Sequence, residues 1–172
     1  VSLFRNLLLA SLLVTLSACG NGDDSSNDGH THDDLAELAE HACEHGQDGP
    51  FLEVNASLTR GDAAEAVSRA HTAFRIALPE DSDGTHRGAV VYTATATGEV
   101  VFFLSADVPL SVHDGEAEVE IEAEGKVDAC PAVITKAVTV DVTAGTEYVL
   151  ELGPTDAATV TLVAVSAGGH AH

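Results

Sequence analysis

Val138-Thr139-Val140-Asp141-Val142-Thr143 alternates apolar and polar residues without a break. Side chains of a strand point to opposite faces in turn, so this period of two marks a strand with one buried face. The same period recurs where Phe74, Ile76 and Leu78 alternate with Ala73, Arg75 and Ala77. Working outward, the candidate strands are 51–59, 72–78, 89–97, 99–106, 117–123, 132–142, 146–152 and 158–166. Gly98, Asp114-Gly115, Gly125, Ala144-Gly145 and Gly153-Pro154 supply the turns between them. Short alternating strands with regular turn signals predict a mainly β fold, an antiparallel β-sandwich, immunoglobulin-like or related. Phe102, Leu104, Val140, Tyr148 and Leu150 read as a filled core, which favours a sandwich over an open barrel.

One short helix precedes the strands. Between Asp34 and His45, Leu35, Leu38, Ala39 and Ala42 fall at i, i+3, i+4 and i+7, the spacing of one helical face. Asp33 or Asp34 can cap its start, Glu37 and Glu40 suit its first turns, and Gly46 is the expected stop. Residues 19–34 hold nothing to bury and read as a flexible acidic tether. The domain is expected over 35–167, with a histidine-containing tail at 168–172. The run Gly145-Thr146-Glu147-Tyr148-Val149-Leu150-Glu151-Leu152 resembles the late strands of secreted bacterial sandwich modules, a likeness too general to imply a family.

At the start of the chain, an apolar run from Leu7 to Leu16 follows Arg5 and closes on Leu16-Ser17-Ala18-Cys19. A basic start, an apolar middle and a small-residue stop are the parts of a secretory signal. With cysteine directly after Ser-Ala, the stop resembles the lipobox of the bacterial lipoprotein family. That resemblance implies removal of residues 1–18 as a signal peptide and lipidation of Cys19, which ties the protein to a membrane. Several acyl chains anchor firmly, since each buried methylene contributes about 0.8 kcal/mol. Gly20 stands where an aspartate would suggest inner-membrane retention, so the expected location is the outer membrane, facing periplasm or surface.

Charge narrows the partners. The whole chain carries 7 basic and 28 acidic side chains, a formal charge of −21. Such a field repels nucleic acid and attracts cations. No nucleic-acid partner is expected, and the protein partner stays open.

Beyond the leader, Cys43 and Cys130 remain. An even count in an oxidising envelope predicts a disulfide between them. It would close a long loop and contribute on the order of 4 kcal/mol from chain entropy. The rival reading makes Cys43 a metal thiolate beside His41 and His45. On a helix, Cys43 lies about 160° around the axis from either histidine, so one ion could not collect all three.

His41-Ala42-Cys43-Glu44-His45 carries the most suggestive chemistry. Histidines at i and i+4 share a helical face, close enough for both imidazoles to meet one metal. Glu37, one turn earlier, extends that stripe as a third ligand or as an acceptor that orients one. His30 with His32, and His170 with His172, form H-x-H pairs in the tether and the tail, a composition that suits metal capture. The cofactor expected is Zn²⁺, with Cu²⁺ or Ni²⁺ as alternatives. His71, His113 or the carboxy-terminal tail would strengthen this reading by converging on His41 and His45. Neither His71 nor His113 has a partner that spacing identifies.

The same five residues match H-x-x-E-H, the zinc signature that inverted metallopeptidases use. The resemblance would make His41 and His45 ligands and Glu44 the base, with Glu120 or Glu122 as further participants. It covers five residues, and that family's catalytic helix belongs to a much larger α/β domain. Glu116, Glu118, Glu120, Glu122 and Glu124 alternate with apolar residues and predict one solvated carboxylate face. Asp81-Ser82-Asp83-Gly84-Thr85 lacks the later ligands of a calcium loop and reads as a turn. No nucleophile elbow, phosphate loop or dinucleotide fingerprint is present. The expected protein is therefore a non-catalytic envelope lipoprotein that binds or buffers a divalent transition metal. The alternatives are a structural or adhesive surface module and, last, a metallopeptidase.

Overall fold

The computed structural model describes residues 32–167, with the side chains of residues 32–34 left aside. Cys19, His30, His170 and His172, together with the signal peptide and most of the tether, lie outside the described residues. So does the side chain of His32, whose backbone opens the helix.

Two sheets face each other. Helix α1 (His32–Asp48) precedes strand β1 (Phe51–Asn55), β2 (Ala73–Ala77), β3 (His86–Thr93), β4 (Gly98–Leu104) and β5 (Leu110–Asp114). Then come β6 (Ala117–Glu118), β7 (Ile121–Lys126), β8 (Lys136–Val142), β9 (Glu147–Thr155) and β10 (Thr159–Ser166). One sheet has the order β1-β2-β10-β4-β8-β7, and the other β3-β9-β5-β6. Phe74, Ile76, Phe102, Leu104, Val138, Val140 and Leu162 of the first sheet pack against Val90, Tyr92, Val112, Tyr148 and Leu150 of the second. All the core residues expected from the strand periods are buried there.

The alternation fails where a third layer covers the sheet. Leu38, Ala39, Ala42 and Cys43 of α1 pack on Ala73, Val101, Phe103, Ala137, Val163 and Val165, the outer face of the larger sheet. Val100 to Leu104 are accordingly all buried, with even residues facing the sandwich and odd ones facing the helix. A strand covered on both faces reads as a continuous apolar run. The helix is tied to this face by the Cys43–Cys130 disulfide, with Cα atoms 6.0 Å apart.

Four details depart from the expectation. First, α1 does not stop at Gly46 but runs to Asp48. Gly49, at φ +80, carries the left-handed turn, and its N–H donates to the His45 carbonyl at 2.9 Å. Gly46 serves packing instead, since a Cβ there would sit 2.6 Å from Val133 Cγ1. Second, β1 and β2 pair in parallel, Phe51 opposite Ala73, within a sheet that is otherwise antiparallel.

Third, the acidic stretch is not one strand. β6 pairs with β5 in the smaller sheet and β7 with β8 in the larger, so the chain changes sheets between Glu118 and Ile121. A register shift between Ile121 and Ala123 breaks the period again, and no single five-carboxylate face exists. Glu124 pairs with buried Lys136 at 2.6 Å, and Glu116 with Arg60 at 3.6 Å. Fourth, Leu110–Asp114 is a strand beyond the eight expected, entered through Pro109 and turned by Asp114-Gly115.

The expected turn at 81–85 is present. Asp83 accepts from the Thr85 hydroxyl at 2.7 Å and the Thr85 N–H at 2.9 Å, which hold its carboxyl below the ordinary aspartate value.

Candidate metal centre

The parallel β1–β2 pair decides what stands beside the end of the helix. Because Phe51 lies opposite Ala73, the residues just before each strand are neighbours: the turn Gly49-Pro50 and the turn holding His71. The Ala73 N–H donates to the Pro50 carbonyl at 3.0 Å, locking the two approaches together. Antiparallel pairing would have sent the two approaches to opposite ends of the strands.

The connection from β1 to β2 is itself held. Ser57 pairs with Ala89 of β3, and Val67, fully buried, donates its N–H to the Val91 carbonyl at 2.8 Å. Ser68 Oγ accepts from the Thr93 N–H at 2.7 Å. The chain therefore crosses to the smaller sheet and returns with little slack. On the return, His71 adopts φ +52, the only left-handed non-glycine residue among those described. This conformation costs an L-residue about 1–2 kcal/mol. It aims the imidazole at the helix.

His41 and His45, on one face of α1, complete the group. His41 Nε2 and His45 Nε2 are 3.2 Å apart, and each is 3.2 Å from His71 Nδ1. The three nitrogens form an equilateral triangle. An imidazole nitrogen either donates or accepts, so at least two of the three share a role and the contacts cannot all be hydrogen bonds. A central cation would receive all three lone pairs at once. These three histidines could hold a metal ion.

His45 Nδ1 faces the Gly49 carbonyl oxygen at 3.4 Å, a long contact that favours the proton on Nδ1 and leaves the Nε2 lone pair toward the triangle. His41 and His45 are half-buried and His71 is exposed. The group opens into a cleft of about 210 Å³, also lined by Ser68, Arg69, Tyr92, Thr95 and Ser166. Burial pushes the Tyr92 phenol above its ordinary value of 10.0, opposed by a hydrogen bond with Ser166 that pulls it down.

The structure thus brings together His41 and His45, as the helical spacing required, with His71 as third donor. Glu37 is exposed one turn away and is not among the three. Glu44, the base in the peptidase pattern, is also exposed, and the third donor is a histidine where that pattern has a glutamate. Cys43 is in the disulfide on the buried face of the helix, away from metal chemistry as its angular position required.

His113 lies elsewhere, buried on the smaller sheet. Its Nδ1 accepts from Arg60 Nη1 at 2.6 Å, and its Nε2 is 2.9 Å from Glu151 and 3.2 Å from Ser111 Oγ. No local spacing pointed to Arg60 or Glu151, because the three groups come from distant parts of the chain. No helix among the described residues is long and apolar enough to cross a membrane. No protein-family model matches the chain, and no curated protein matches it significantly.

Proposed function

We propose that the protein is a cell-envelope lipoprotein whose sandwich domain binds or buffers Zn²⁺ at His41, His45 and His71, without catalysis. The observation that carries this reading is the triangle of ring nitrogens at 3.2 Å. Tetrahedral zinc with Zn–N bonds of about 2.0–2.1 Å separates its ligand nitrogens by about 3.3–3.4 Å, close to the spacing found. Three imidazoles also suit Cu²⁺ and Ni²⁺, whose preferred geometries are more nearly square. The equal spacing, with no pair spread to the wider separation of trans ligands, favours zinc among these. The acidic field of the chain draws divalent cations towards it. The anchor part of the reading is supported by Leu16-Ser17-Ala18-Cys19.

Calorimetry of Zn²⁺ binding to the full chain in detergent tests the proposal. One tight site is expected, lost in the His41→Ala, His45→Ala double variant and retained when residues 168–172 are deleted. No binding tighter than roughly 10 μM, about −7 kcal/mol, would reduce the triangle to surface chemistry.

A further inference from the structure

Three nitrogens, all that the described residues bring together, would leave a four-coordinate metal with one open position. The three histidines share a cleft of unusual composition. The cleft is lined by His41, His45, His71 and Arg69, with small and hydroxyl-bearing residues making up the rest. Among the described residues, no carboxylate lines it. The exposed glutamates of the helix, Glu37, Glu40 and Glu44, contribute nothing to its wall.

Carboxylates nearby would offset the charge of a bound cation, whereas an arginine adds to it. Here a divalent ion would add two positive charges to that of Arg69, with no countercharge among the described residues of the lining. Arg69 is exposed, and like charges that share a cleft disfavour each other unless an anion bridges them. Arginine presents a planar fork of donors that matches the oxygens of carboxylate or phosphate. We infer that the metal-loaded site takes a small oxyanion, which gives one oxygen to the open metal position and another to Arg69. The cleft, about 210 Å³, has ample room for acetate or inorganic phosphate. This inference rests on the metal site proposed above and adds its ligand class: the protein binds metal and oxyanion together.

Co²⁺ replacing Zn²⁺ gives a visible spectrum that reports the ligands on the metal, which separates the two proposals. The full chain loaded with Co²⁺ in chloride-free, oxyanion-free buffer is titrated in turn with acetate, inorganic phosphate and chloride. A saturable spectral change with acetate or phosphate is expected, and which of them acts identifies the carboxylate or phosphate class. In Arg69→Gln the oxyanion should bind about tenfold more weakly. Co²⁺ itself should bind that variant in anion-free buffer as tightly as the wild type or more so. A Co²⁺ spectrum that no oxyanion moves, that chloride moves equally well, or that responds identically in Arg69→Gln overturns the oxyanion inference and leaves the metal site standing. Absence of any Co²⁺ spectrum overturns both.

Discussion

His71 holds a conformation that costs an L-residue stability, beside two other histidines. At φ +52 it occupies a region that glycine reaches without steric cost. His71→Gly should therefore leave the metal-free protein as stable as the wild type or up to about 1 kcal/mol more stable, once the entropy of glycine in the unfolded chain is counted. The same variant should lose Zn²⁺ affinity by more than about 100-fold, since even residues that merely orient a ligand cost about 10–100-fold when removed. Urea unfolding of the metal-free protein beside calorimetry checks both halves. A variant that lost stability by more than 1 kcal/mol would show that His71 holds its turn for structural reasons. Tyr92 gives a second residue-scale expectation. Its raised value means the fold prefers the neutral phenol, so its contribution is complete below pH 10 and is lost as pH rises through the higher folded value. Stability should fall on the alkaline side, and Tyr92→Phe should remove that part of the fall.

Helix α1 is where local preference and tertiary packing disagree. Alanine is favoured over glycine inside a helix by about 1 kcal/mol, so Gly46→Ala would stabilise an isolated α1. In the protein its Cβ would stand 2.6 Å from the branched side chain of half-buried Val133, next to buried Ile134. Either the loop or the helix must move, and overpacking of this kind costs about 1–3 kcal/mol. Net destabilisation of about 1 kcal/mol is expected in thermal unfolding, and a gain in stability would mean that Val133 yields freely. For the same reason Gly46 does not stop the helix, which continues to Asp48. Glycine is a helix-end signal when its φ is the reason for it, as at Gly49, and not when its missing side chain is the reason.

At the scale of the molecule, α1 is held to the sandwich by an apolar seam and a covalent bridge, and the proposed metal would add a third tie. The Cys43–Cys130 bridge spans 87 residues, which from chain entropy contributes about 4–5 kcal/mol. The Cys43→Ala, Cys130→Ala pair should lose stability of that order in denaturant titration, and non-reducing digestion of the wild type should release the two cysteine peptides joined. Zn²⁺ at a hundred times its dissociation constant should raise the unfolding free energy by about 2.7 kcal/mol, an effect absent in His71→Gly. The anchor is tested separately. Cys19→Ser should accumulate as an unprocessed, non-acylated precursor, and an unmodified amino terminus on the wild type, seen by mass spectrometry, would remove the lipoprotein reading.

Local pattern was enough wherever the physics was local. The period of two placed Val138, Val140, Phe74 and Ile76 in the core, because alternation along a strand depends only on backbone geometry. The i, i+4 spacing put His41 and His45 on one helical face, and the same geometry kept Cys43 for the disulfide. The break in the acidic strand was not legible, because its continuous alternation does not reveal that pairing partners change from β5 to β8. Nor was the third donor. His71 reaches the helix because β1 and β2 run parallel and a connection pinned to β3 returns it there in a left-handed turn. Sequence determined two corners of the triangle through the pitch of one helix. The third came from contacts between segments 26 and 30 residues apart, and only the tertiary fold brings those segments together.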